Sequence, residues 1–115
     1  MLKKLRTVVY HVADLQKAKE WYTQLTNIKP YFDEIFYVGF DINGCELGLD
    51  PDMTGVENGN HSFVYWTVDD IEECIKKLIH SGATVINDVR EVGGGIKVAA
   101  VNDLWGNAIG LIEEV

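Results

Sequence analysis

The feature that most constrains this chain is that it repeats itself. Val12-Ala-Asp-Leu15 is echoed by Val68-Asp-Asp-Ile71 at an offset of 56 residues, and Glu46-Leu-Gly-Leu49 by Ala108-Ile-Gly-Leu111 at an offset of 62. Two separate matches at nearly one offset imply two copies of a single unit of about 50 residues. The full 115 residues suffice for one modest domain, so the copies are expected to build it together.

Each copy opens with a stretch rich in β-branched and aromatic residues, LRTVVYHV and HSFVYWTV, which reads as a strand. Apolar residues at helical spacing follow: Leu15, Ala18, Tyr22 and Leu25 in the first copy, Ile71, Cys74, Ile75, Leu78 and Ile79 in the second. Asp14 and Asp70 are natural N-caps, Glu73 completes a capping-box pattern, and Asn27 and Gly82 stand where the helices should end. Residues 29–50 then fit three short strands with Asn43-Gly44 as a hairpin turn. Residues 83–113 fit three more, joined by Gly93-Gly94-Gly95 and by the turn Asp103–Asn107. The reading is βαβββ twice: an α+β fold with module one at about 3–50, a linker at 51–60 and module two at about 61–114. Two curved mixed sheets around a cavity are expected.

Net charge is −8, with acidic residues in excess in both halves, which excludes the basic footprint a nucleic-acid partner requires. Cys45 and Cys74 form no zinc-type cluster, and Cys74 on its apolar stripe reads as a buried free thiol. The start MLKKLRTVVYHVADL has too short an apolar run for a signal core or a membrane span. A cytoplasmic protein without a membrane partner is the expectation.

If Asn43-Gly44 closes a two-residue hairpin, register follows. Ile42 faces Cys45, Phe40 faces Leu47 and Val38 faces Leu49, an apolar set for the helix side. Asp41 with Glu46, Gly39 with Gly48 and Tyr37 with Asp50 then share the opposite face. By the same alternation Val8, Tyr10 and Val12, with Val64, Trp66 and Val68, lie beneath the helices. Thr7, Val9 and His11, with His61, Phe63, Tyr65 and Thr67, lie on the other face, joined by Ala108, Gly110 and Ile112. A semi-apolar face with a few placed polar groups is the usual form of a small-molecule site.

On VxDLxKAxEWY in the first copy, VDDIEE…KKLxxxGA in the second and DLWGNxIGL near the end, the chain resembles the vicinal oxygen chelate superfamily, also called the glyoxalase/bleomycin-resistance family. That resemblance covers nearly the whole chain, although Leu104 stands where the family's DPxGN turn has proline. It implies paired sheets, a cavity and a homodimer. In metal-dependent members one divalent ion is held by His, Gln or Glu on the first and last strands of the copies. The corresponding positions here are Thr7, Phe63, Gly48 and Gly110, none of which is a credible ligand.

The expectation is therefore a metal-free, cofactor-free member that binds a small molecule. Tyr37, Phe63, Tyr65 and Trp105 would supply stacking surface, and Asp41, Glu46 and Asp50 would attract positive charge, with Thr7 and His61 also lining the site. Drug or metabolite sequestration is the implied role. The alternative is a metal-dependent lyase, isomerase or dioxygenase using a displaced site of His61, Glu46 and His11. For metal-free chemistry the candidates are Glu46 and His61; Glu46 and Asp41 either share a proton, raising one pKa, or stand as two solvated carboxylates at the hairpin end.

Overall fold

The computed structural model describes residues 1, 3–56 and 64–115, and the chain divides into two units, Met1–Val56 and Glu57–Val115. Each unit holds a four-stranded mixed sheet and one helix.

In the first unit, β1 (Thr7–His11) leads to α1 (Leu15–Thr26), then β2 (Phe32–Glu34), β3 (Tyr37–Ile42) and β4 (Cys45–Asp50). The strand order is β1-β4-β3-β2, with β1 parallel to β4 and the other pairs antiparallel. Asp14 caps α1 by accepting the Lys17 N–H at 3.1 Å, and Asn27 ends it in the left-handed region at φ 56°. Asn43 and Gly44 take positive φ, 50° and 89°, the geometry a two-residue hairpin demands. That turn gives the register Val38↔Leu49, Gly39↔Gly48, Phe40↔Leu47, Asp41↔Glu46 and Ile42↔Cys45.

Alternation then divides the sheet. Val38, Phe40, Leu47 and Leu49 are buried together with Tyr10, Val12, Ala18, Trp21 and Tyr22. Burial of each large side chain of this set contributes roughly 1.5–3 kcal/mol. Trp21 meets Tyr22 edge-on at 4.9 Å between ring centroids, and Lys19 ties α1 to β2 through the Asp33 carboxylate at 3.0 and 3.2 Å. The opposite face carries Thr7, Val9 and His11 beside Glu46, Gly48 and Asp50.

The second unit repeats the plan with β5 (Val64–Thr67), α2 (Ile71–His80), β6 (Thr84–Gly93), β7 (Ile96–Asn102) and β8 (Ala108–Glu113), ordered β5-β8-β7-β6. Asp70 caps α2 by accepting the Glu73 N–H. The Glu73 carboxylate, expected to close a capping box, pairs instead with Lys76 at 3.3 Å, while Glu113 from β8 accepts the Ile71 N–H at 2.9 Å. A carboxylate from 42 residues away thus adds to the cap that Asp70 makes. Cys74 is half-buried rather than fully buried, and that burial pushes its thiol pKa up. Among the described residues, no helix is long and apolar enough to cross a membrane.

Candidate functional site

The open face of the first sheet is shaped by two residues without side chains. Gly39 and Gly48 are cross-strand partners, so the middle of the face is a hollow, and neighbouring side chains lie down across it. A Cβ at Gly39 would come within 2.9 Å of Glu46 Oε1 and 3.3 Å of Tyr31 Cε1. A Cβ at Gly48 would overlap the Tyr37 hydroxyl and sit 2.6 Å from its Cζ.

What converges there is one carboxylate under three hydroxyls. Tyr31 donates to Glu46 Oε1, while Tyr37 and Thr7 donate to Oε2 at 2.9 and 3.1 Å. Arg6 donates from Nη1 to the Thr7 oxygen at 2.8 Å and stands 3.7 Å from Glu46 Oε2. The Glu46 side chain is only 12% exposed. Such donors favour the charged form, and the bond from Tyr31 foremost holds the Glu46 pKa below its ordinary value, against burial. Burial, followed by the bond to Glu46, pushes the Tyr37 hydroxyl up to about 12. The bond to Glu46 also raises Tyr31. At neutral pH the site is an anion ringed by phenols that keep their protons.

This arrangement gives Glu46 and Asp41 separate partners in place of a shared proton. Although the two are cross-strand partners, Asp41 Oδ1 accepts the Gly44 N–H at 2.8 Å, and Glu46 is satisfied by hydroxyls. With its pKa lowered, Glu46 is a weak base, suited to binding positive charge more than to abstracting protons.

Of the residues expected at a site, Thr7, Tyr37 and Glu46 are joined by hydrogen bonds, and Asp41 and Glu46 line a cavity of about 210 Å³ with Arg6, Tyr31 and Gly44. His61 and Phe63 lie outside the described residues. Tyr65 and Trp105 belong to the second unit. Tyr65 is 52% exposed and lies against Gly110, its partner on β8, where a Cβ would meet its Cδ1 at 2.8 Å and the Val64 carbonyl at 2.9 Å. Trp105 is half-buried in the turn, its N–H held at 2.8 Å by the buried Asp103 carboxylate, which also accepts from the Asn107 N–H and side-chain amide.

Two participants were missed in the sequence. Tyr31 precedes β2, anchored by its N–H to the Gly39 carbonyl at 3.0 Å, and its ring reaches Glu46 only because Gly39 leaves room. Paired glycines in the hairpin register were the available signal. Alternation assigns Arg6 to the helix side. On an edge strand its arm is free to reach the Thr7 hydroxyl on the open face, while its carbonyl accepts the Glu46 N–H at 2.8 Å.

The residues of the first unit do not fit a divalent ion. The Tyr37 hydroxyl fills the place where a ligand at position 48 would begin, and the Thr7 hydroxyl is spent between Arg6 and Glu46. His11 shares the face, but stands four residues from Thr7 along β1, about 13 Å, with Nδ1 at 2.8 Å from the Asp52 carbonyl oxygen. Among the described residues, the one group of three acidic, His or Cys side chains able to share an ion is Asp70, Glu72 and Glu113, far in sequence from Glu46. Within it Glu113 caps α2 and Glu72 pairs with Lys97 at 3.1 Å.

Residues 4–111 match the family model described as the Glyoxalase/Bleomycin resistance protein/Dioxygenase superfamily. No curated protein matches the chain. Among solved structures, the chain is similar to a glyoxalase/bleomycin resistance protein/dioxygenase family enzyme from Burkholderia phytofirmans PsJN, at 16% identity and TM-score 0.84 over 98% of this chain and 100% of that one. It is similar to a genomically encoded fosfomycin resistance protein from Listeria monocytogenes, at 14% identity and TM-score 0.82 over 100% and 96%. A lactoylglutathione lyase from Agrobacterium tumefaciens follows at 16% identity and TM-score 0.74 over 97% and 94%. At these identities the likeness is one of fold.

Proposed function

This chain belongs to the glyoxalase/bleomycin resistance protein/dioxygenase superfamily, and from that premise we propose that it binds a small molecule carrying positive charge on the open face of its first unit, without a metal ion. The observation that carries the reading is Glu46, largely covered and held ionised by the hydroxyls of Tyr31, Tyr37 and Thr7. A covered carboxylate attracts a cation more strongly than a solvated one, because the surrounding medium screens it less. Both phenol hydrogens point at Glu46, which leaves their oxygen lone pairs as acceptors for a donor-bearing ligand. Sequestration, in which binding itself is the activity, fits a site whose carboxylate is a poor base. A homodimer is part of the same reading.

Thermal-shift measurements with organic amines and matched organic acids test it. Amines should raise the melting temperature of the wild-type protein and lose most of that effect in Glu46→Gln. Stabilisation by the acids alone would overturn the reading. Stoichiometric divalent metal in tag-free protein, lost in Glu46→Gln, would overturn its metal-free part.

A further inference from the structure

The cavity beside Glu46 contains a cation as well as carboxylates, and this narrows the ligand. Its lining is Arg6, Tyr31, Asp41, Gly44 and Glu46, all within the first unit. Arg6 has five N–H donors on a side chain that is 75% exposed. One N–H serves Thr7, and Nη1 lies 3.7 Å from Glu46 Oε2, so a fork of donors remains for an incoming carboxylate. Asp41 offers the opposite charge: Oδ1 accepts from Gly44, and among the described residues Oδ2 has no hydrogen-bond partner. The Tyr31 ring, 59% exposed, lines the same cavity and offers a face on which an ammonium can rest.

A purely cationic ligand would bring its charge against Arg6, and a purely anionic one would face two carboxylates. We propose that this cavity selects a small zwitterion, an ammonium and a carboxylate joined by a short spacer as in a free amino acid. The inference rests on the binding function proposed above and sharpens it. In the bound arrangement the ammonium lies against Asp41, Glu46 and the Tyr31 ring, and the carboxylate lies on the Arg6 fork. The spacer must be short, because Arg6 and Glu46 are 3.7 Å apart and Asp41 is the cross-strand neighbour of Glu46. Size agrees: about 210 Å³ is below the roughly 300–1,000 Å³ of sites for drug-sized ligands, so the ligand must be small.

Calorimetry and thermal shift with the twenty free amino acids, each beside its carboxamide and its N-acetyl derivative, test the proposal on the whole chain. At least one amino acid should bind about tenfold more tightly than both of its singly charged derivatives. Arg6→Gln should bring that zwitterion to within about twofold of its carboxamide while leaving the carboxamide unweakened. Asp41→Asn should weaken both. Arg6 and Asp41 are exposed, so these variants are expected to fold, and circular dichroism verifies it. A carboxamide that binds as tightly as its parent, or a zwitterion indifferent to Arg6→Gln, overturns the zwitterion proposal and leaves cation binding standing. Absence of binding by every zwitterion and carboxamide overturns the cation reading and the proposal with it.

Discussion

The Tyr37 hydroxyl occupies the place where a side chain at Gly48 would begin, and from there it donates to Glu46 Oε2 at 2.9 Å. The second unit has a counterpart in Tyr65 lying on Gly110. In both, a tyrosine covers a glycine of the last strand in its unit.

Restoring a side chain at either glycine should therefore be costly, and unequally so. Gly48→Ala meets the Tyr37 phenol first, a side chain able to swing away, whereas Gly110→Ala also meets the Val64 carbonyl of the neighbouring backbone. We expect losses of about 1 and about 3 kcal/mol respectively, within the range for overpacked sites. Denaturant unfolding measures both. Equal losses, or a larger one at Gly48, would contradict the packing described.

Gly48→Ala should also release Tyr37 from Glu46. The phenol's titration, followed by ultraviolet absorbance, should then move from about 12 towards its ordinary 10.0. A titration unchanged by the substitution would mean that Tyr37 keeps its place.

Glu46→Gln removes the anion from beneath three hydroxyls. Hydrogen bonds to a charged group contribute about 1.5–3 kcal/mol each when well formed, and a glutamine amide oxygen would still accept from some of the hydroxyls, so a net loss of about 2 kcal/mol is expected. Tyr31 and Tyr37 should both titrate at lower pH in the variant, since the bond to Glu46 raises each of them. Urea unfolding and phenol titration on the same samples check the two effects together.

Stability should fall at both ends of the pH scale for separate reasons. Tyr37 keeps its proton to about 12 when folded, against 10.0 for an ordinary phenol. Its contribution is thus complete below pH 10 and lost as pH rises from 10 to 12. Glu46 has a folded pKa below 4.5, so its contribution is complete above about that pH and lost as pH falls further. Tyr37→Phe should flatten the alkaline limb of a stability profile and leave most of the acid limb in place.

Asp103 offers a test away from the site. Its carboxylate is 5% exposed and accepts from the Trp105 N–H, the Asn107 N–H and the Asn107 amide. Asp103→Ala removes these three bonds and should cost about 2–3 kcal/mol by denaturant unfolding.

Much of this was legible in the sequence because it follows from local rules. Asn43-Gly44 names its turn type, and the turn names the partners of Glu46 and Gly48. Asp14 and Asp70 mark their helix starts by the chemistry of unpaired N–H groups. Glu73 was misjudged because its carboxylate pairs with Lys76, and the added bond from Glu113 to the Ile71 N–H arrives from 42 residues away. Arg6 was hidden by an alternation rule that constrains a side chain inside a sheet and loosens at an edge. Tyr31 was hidden because it lies outside the paired hairpin, and alternation does not show that Gly39 makes room for its ring.

The Asn43-Gly44 turn also fixes what the site can tolerate during change of sequence. Substitutions around Glu46 alter affinity one contact at a time. One residue added to the turn would shift β3 against β4 by a single step, breaking the opposition of Gly39 to Gly48 and, if β4 slid, presenting Glu46 to the side now filled by Phe40 and Leu47. The site can therefore vary freely in chemistry while the length of the chain between its two glycines stays fixed.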